Sequence, residues 1–184
     1  MRHFCVLFIL APIWAQDAPR ARVTVGGGWS REVGGYSFEK PTAPVFQTTL
    51  GYRVWRFVEL ETGVTIAFQP APDQCNAHGC GDPNDRFYWV PFGVRLVAPL
   101  AWKRVEVSVG GGGLYENYAI SNGRSLIVDD SRTGWGGYFE AGAAVFLDHK
   151  QHWWVGVTPR LFLANPPYNR DRWFTIAPEV SFRW

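Results

Sequence analysis

The segment from Trp173 to Trp184 constrains the fold of this chain more than any other. Trp184, Phe182, Val180, Pro178, Ile176 and Phe174 recur at every second position, while Arg183, Ser181, Glu179, Ala177 and Thr175 fill the positions between. A period of two marks a strand, because successive side chains point to opposite faces. This strand has one apolar and one polar face and runs to an aromatic final residue. An amphipathic strand with an open edge invites aggregation. Closure against a first strand removes the edge, so the segment predicts a barrel.

Seven further segments alternate in the same way. Val23, Val25, Gly27 and Trp29 oppose Arg22, Thr24, Gly26 and Gly28. Strands are likewise predicted over Val45–Val54, Val58–Phe68, Phe87–Ala98, Val105–Tyr118, Gly134–Leu147 and Trp153–Leu161. The connections alternate in length. Ser30–Pro44, Gln69–Asp85, Ser121–Arg132 and Asn165–Arg172 are long and rich in Gly, Pro, Asn and Asp. The turns around Trp55 and Arg56, at Pro99–Arg104 and at Asp148–Gln151 are short. The expectation is an all-β, eight-stranded, antiparallel up-and-down barrel with long loops at one end and short turns at the other.

Charge falls on one face of these strands. That face collects Arg22, Arg53, Arg95, Arg160 and Arg183 with Glu59, Glu61, Glu106, Glu116, Glu140 and Glu179. The opposite face is apolar, with Trp29, Phe46, Phe68, Tyr115, Trp135 and Phe174 towards the long loops and Trp153 and Trp184 towards the short turns. Trp55 and Trp102 lie in those turns. Two aromatic girdles fit a surface that meets lipid. Only three of the 18 basic residues are lysine, namely Lys40, Lys103 and Lys150, and none lies in a predicted strand. A charge on a lipid-facing strand costs about 2–4 kcal/mol near the midplane. Turning all eleven outward would exceed a domain's margin of roughly 5–15 kcal/mol. In a membrane barrel they must face the lumen and pair there. A soluble lipocalin-like barrel with the charged face outward is the alternative.

The N-terminus reads as an export signal over residues 1–15, followed by a barrel domain over residues 20–184. Arg2 supplies a positive start, Phe4–Ile13 an apolar run too short to span a bilayer, and Ala15 a small residue before the cleavage point. A net charge of +2 is too small to argue for a nucleic-acid partner, the basic residues form no clustered stripe, and none is expected.

The eight alternating strands, the loop rhythm, the charged inner face and the ending Ser181-Phe182-Arg183-Trp184 together resemble the eight-stranded bacterial outer-membrane barrels of the OmpA-like and OmpX-like kind. The resemblance covers residues 20–184 and is architectural. It implies outer-membrane insertion, with Val180, Phe182 and Trp184 as the C-terminal signal read by the barrel-assembly machinery. It implies contact with outer-membrane lipid and lipopolysaccharide, a monomer, and a role in envelope structure or surface interaction through the loops. It transfers no single activity and does not identify what the loops bind.

Chemistry is sparse. Cys75 and Cys80, in CNAHGC, are the cysteines left after leader removal and should form a disulfide in an oxidising compartment, contributing roughly 2 kcal/mol at most. A metal site from Cys75, His78 and Cys80 lacks an evident fourth ligand. Neither Gly26–Gly28 nor Gly110–Gly113 has the Lys-Ser/Thr of a phosphate loop. A lipid A-modifying enzyme would need a histidine, a serine and an acid near the loops. His78 with Ser121, Ser125 or Ser131 and Asp129 or Asp130 is the arrangement available, and His149 and His152 belong to a short turn. Neither an enzyme nor a cofactor is expected. Eight strands leave an interior that side chains fill, which argues against a pore. Pro91, Pro159 and Pro178 interrupt predicted strands. Counting places Pro159 nearly opposite Pro178, so their missing donors are expected to coincide in one weak seam.

Overall fold

The strands follow from β-branched and aromatic residues spaced in twos, and they run longer than the alternation alone indicates. The computed structural model describes residues 20–34, 42–70, 74–76, 79–81, 84–100, 104–121, 128–165 and 171–184. The leader at residues 1–15 lies outside them. The strands are β1 (Ala21–Gly34), β2 (Thr42–Trp55), β3 (Val58–Pro70), β4 (Gln74–Asn76), β5 (Gly79–Gly81), β6 (Asn84–Leu100), β7 (Val105–Ser121), β8 (Val128–Phe146), β9 (Trp153–Asn165) and β10 (Asp171–Arg183). Eight of them close a barrel in the order β1-β10-β9-β8-β7-β6-β3-β2, every neighbouring pair antiparallel. The other two, β4 and β5, pair as a small ribbon within the second long connection.

Several predicted loops are therefore partly strand. Val128–Gly134 continues β8, and β1 extends past Trp29 to Gly34. Polar residues interrupt the apolar alternation there, but the ladders with neighbouring strands continue. Closure runs through the chain's two ends, where the Ala21 and Trp184 amides each donate to the other's carbonyl at 3.1 Å.

The expected seam between Pro159 and Pro178 is not present. The β9–β10 register passes through Ile176–Pro159 and Pro178–Val157 without a break. Ladder geometry explains this. Ala21 and Trp184 form a doubly hydrogen-bonded pair, so every second pair of that ladder does too, and Gly27–Pro178 falls among them. The missing donor of Pro178 thus points at β1, and there the register skips from Gly26–Glu179 to Trp29–Ile176. By the same count Pro159 points at β8, where pairing skips from Glu140–Arg160 to Ala143–Val157. Pro91 points at β3, where it skips from Thr62–Phe92 to Thr65–Trp89. The Thr62 hydroxyl donates to the Pro91 carbonyl at 3.1 Å across this last gap. Each proline loosens one ladder, and the three gaps are spread around the barrel.

The outer surface is apolar. Trp29, Phe46, Trp135 and Phe139 are each more than 60 % exposed, as are Trp55 and Leu147 at the short-turn end. The charged side chains Arg22, Glu59, Arg95, Glu116, Arg160 and Glu179 are buried. This inverts the arrangement of a water-soluble barrel.

Candidate functional site

The lumen is the region where side chains with chemistry converge. It has two tiers of different character.

The tier nearer the short turns is ionic. Inward positions on five strands bring five guanidiniums to five carboxylates. Arg160 on β9 is the hub. Its Nε donates to Glu140 at 2.8 Å, one terminal nitrogen to Gln47 at 2.6 Å and the other to Glu61 at 3.2 Å, with Glu179 at 3.8 Å. Arg22 donates to Glu61, lies 2.6 Å from Glu59 and reaches the Thr24 hydroxyl at 3.1 Å. Arg95 lies 3.5 Å from Glu61 and 3.9 Å from Glu140. Arg183 grips Glu106 with two parallel hydrogen bonds of 2.9 and 2.6 Å, and Arg53 reaches the same carboxylate at 3.4 Å. Gln47 also donates to Glu179, which accepts a second bond from Thr158 at 2.9 Å. Planar forks suit such shared, bidentate partners better than ammonium groups do. The Trp154 ring, fully buried, stands among Arg22, Arg95 and Arg183, whose guanidinium carbons lie 5.7, 5.8 and 5.8 Å from its centroid.

Glycine makes this density possible. A methyl at Gly51 would strike the Glu59 carboxylate and the Arg22 side chain, and one at Gly142 would sit 2.7 Å from the Ser108 hydroxyl. These residues clear space for their neighbours' charged side chains.

The tier nearer the long loops is aromatic. Phe87 and Trp89 from β6, Phe162 from β9 and Trp173 from β10 pack with centroids 4.7–5.7 Å apart, joined by Tyr138 and Leu114. Glu116, a further inward glutamate, lies at this level and accepts a hydrogen bond from the Trp89 indole at 2.7 Å. Side chains fill the lumen, and the Arg–Glu pairs expected there account for one tier of it. The network occupies one half, and buried rings occupy the other. The pattern concealed these rings because Phe87-Tyr88-Trp89-Val90 in β6 is apolar at every position, so alternation could not sort inside from outside. Their signal was available only by extending the register outward from Arg95 in steps of two.

At the C-terminus, Val180 and Trp184 face outward, and Phe182 stacks beside Trp184 at 6.0 Å and lies tilted against Trp153 at 4.8 Å. The backbone of the β4–β5 ribbon sets Cys75 directly opposite Cys80, a register within reach of a disulfide. Their side chains lie outside the described residues, as do His78 and the side chains of Ser121, Ser125, Ser131, Asp129 and Asp130. The described histidines, His149 and His152, sit in the β8–β9 turn, where His152 Nδ1 lies 3.6 Å from Asp148. Among the described residues no group of histidine, cysteine and carboxylate side chains could hold a metal. Among the described residues the lumen thus offers charge neutralisation and packing.

No family model matches the sequence, and no curated protein sequence matches it either. Solved structures do match. Neisserial surface protein A aligns with a TM-score of 0.70 over 89 % of this chain and 97 % of its own, at 10 % identity. Ail, the attachment invasion locus protein of Yersinia pestis, aligns at 0.59 over 90 % and 99 %, with 11 % identity. The outer membrane protein OprG from Pseudomonas aeruginosa aligns at 0.57 over 92 % and 99 %, with 10 % identity. The chain is a closed eight-stranded antiparallel barrel of the same architecture as these small outer-membrane proteins, built from a sequence unlike theirs.

Proposed function

We propose that this protein is a small non-porin barrel of the bacterial outer membrane, acting in envelope structure or surface interaction through its long loops. One observation carries the reading: the barrel is apolar and aromatic outside, and its charged strand residues are turned into the lumen. In water this surface would expose an apolar patch far larger than soluble monomers tolerate. In a bilayer it needs no further partner. On this reading the leader is cleaved during export, the strand ending in Phe182 and Trp184 is read by the assembly machinery, and the barrel inserts as a monomer. The long loops face outward against lipopolysaccharide, and the Cys75–Cys80 ribbon is closed by a disulfide. The two packed tiers support a barrel that passes no solute.

The test is refolding into detergent or vesicles, with gel mobility before and after boiling and circular dichroism alongside. A β spectrum with a band that shifts only on boiling is the expected result. A monomer that folds in plain buffer would overturn the proposal. Lipid A altered by the wild-type protein but not by a His78→Ala variant would overturn the non-enzymatic part.

A further inference from the structure

The short-turn end carries a charge pattern that the lumen does not use. Arg20 precedes β1, Arg56 lies in the β2–β3 turn, Arg104 precedes β7 and Lys150 lies in the β8–β9 turn, and all four are exposed. The strand order sets β1 beside β10, β2 beside β3, β6 beside β7 and β8 beside β9. One cation therefore stands at each of the four corners of this rim. The sequence adds Lys103 beside Arg104. Among the described residues the acidic side chain outside the lumen at this end is Asp148, and it is engaged within its own turn by the Trp153 amide at 2.8 Å. The opposite end differs. Residues 31–40, 73–86, 124–132 and 170–172 hold seven basic and eight acidic residues. The lumen arginines add nothing to the rim's field, since glutamates surround them.

Depth is set by the neighbouring rings. Trp55, Phe57, Trp153 and Trp184 are exposed at this same end, and such rings settle at the bilayer interface. The Arg56 guanidinium lies over the Phe57 ring, 5.0 Å from its centroid. The cations thus stand at headgroup level. Spread over every corner, they match a surface that surrounds the barrel, whereas a folded partner would need one contiguous patch.

We infer that this rim is a binding ring for anionic glycerophospholipid headgroups, of the phosphatidylglycerol class, in the leaflet facing the short turns. The inference rests on the membrane-barrel reading above. Its test is quenching of the protein's tryptophan fluorescence in vesicles by brominated phosphatidylglycerol against brominated phosphatidylcholine. The ring predicts a preference of roughly three- to tenfold for the anionic lipid. That preference should vanish at about 1 M salt, where the Debye length is about 3 Å. The quadruple variant R20Q/R56Q/R104Q/K150Q should lose it, and R31Q/R172Q, at the other end, should retain it. Should the quadruple variant fail to insert, the salt dependence of the wild-type protein decides the question alone. Equal quenching by both lipids from a barrel that shows the boiling-dependent shift would overturn the ring and leave the membrane reading standing. Failure of the wild-type protein to insert would overturn the membrane reading itself. Loss of co-sedimentation with peptidoglycan in the quadruple variant, with no lipid preference in the wild-type protein, would overturn the ring in favour of a cell-wall partner.

Discussion

Arg160 shows how much one buried charge can be asked to do. It satisfies Glu140, Glu61 and Gln47 at once, so its removal would take the hydrogen-bonded guanidinium from Glu140, leaving Arg95 3.9 Å away, and would leave Glu61 to Arg22 and Arg95. Breaking a buried ion pair from one side costs about 3–5 kcal/mol. Arg160→Met is expected to lower unfolding stability by about that amount in a guanidinium titration in vesicles. Arg160→Lys should recover only part of the loss, because a single ammonium cannot span partners arranged for a planar fork. Equal stability of the Met variant and the wild-type protein would show that the carboxylates find other partners. Gly51 is the complementary case, since Gly51→Ala would force a methyl into the Glu59 carboxylate and should shift the same titration in the same direction. Arg160 and its partners were placed on one face by counting in twos, because charge contrasts sharply with valine and leucine. Trp89 and Phe87 were not, because an aromatic side chain is equally at home against lipid and inside a dry lumen. Which glutamate meets which arginine was not legible either. It depends on strand order and stagger around the closed barrel, which no single segment encodes.

At the scale of the element, each strand is defined by its neighbours as much as by its own residues. The prolines make the point, for Pro178 disturbs β1 and leaves β9 intact. The sequence located the prolines but not the direction of their missing donors, which alternates along a strand and depends on the ladder's phase. Pro178→Val would supply an amide to the Gly27 carbonyl. We expect it to stabilise the barrel by about 1 kcal/mol, a typical net hydrogen-bond contribution, readable in the same titration. A loss of stability would mean that the ring of proline is worth more than the missing bond. The β8–β9 turn offers a pH test. The Trp153 amide donates to Asp148 and holds its carboxyl below the usual aspartate range. A depressed folded value means that the bond's contribution is complete above the unfolded range and disappears as pH falls through the folded value. The Trp153 amide chemical shift should therefore titrate with a midpoint below that of an unfolded aspartate and should stop titrating in Asp148→Asn. A midpoint at the unfolded value would mean that the bond does not persist in solution.

For the whole molecule, the consequence of two tiers is redundancy in closure. The ionic tier is braced by five arginines from five strands, and the aromatic tier by rings from β6, β8, β9 and β10. The tiers meet where the Trp89 indole donates to Glu116 and where Tyr138 and Glu140 stand two residues apart on the inner face of β8. The overall architecture was legible because eight alternations and a long–short rhythm of connections leave few topologies open. The division of the lumen was not, since it arises only when inward residues of non-adjacent strands are brought level by closure. The division can be tested by removing one tier. Trp89→Ala deletes the ring that stacks on both Phe87 and Phe162, and truncation of a buried tryptophan costs about 3–5 kcal/mol. The variant is expected to be less stable by that amount and yet to carry no steady ion current in a planar bilayer, because the salt-bridged tier still fills the barrel below it. Opening should require loss of both tiers, as in Trp89→Ala combined with Arg160→Ala. A steady current through the single tryptophan variant would show that the ionic tier is permeable and that the rings alone seal the barrel. Loss of closure together with loss of the boiling-dependent gel shift would instead mean that the two tiers fold as one.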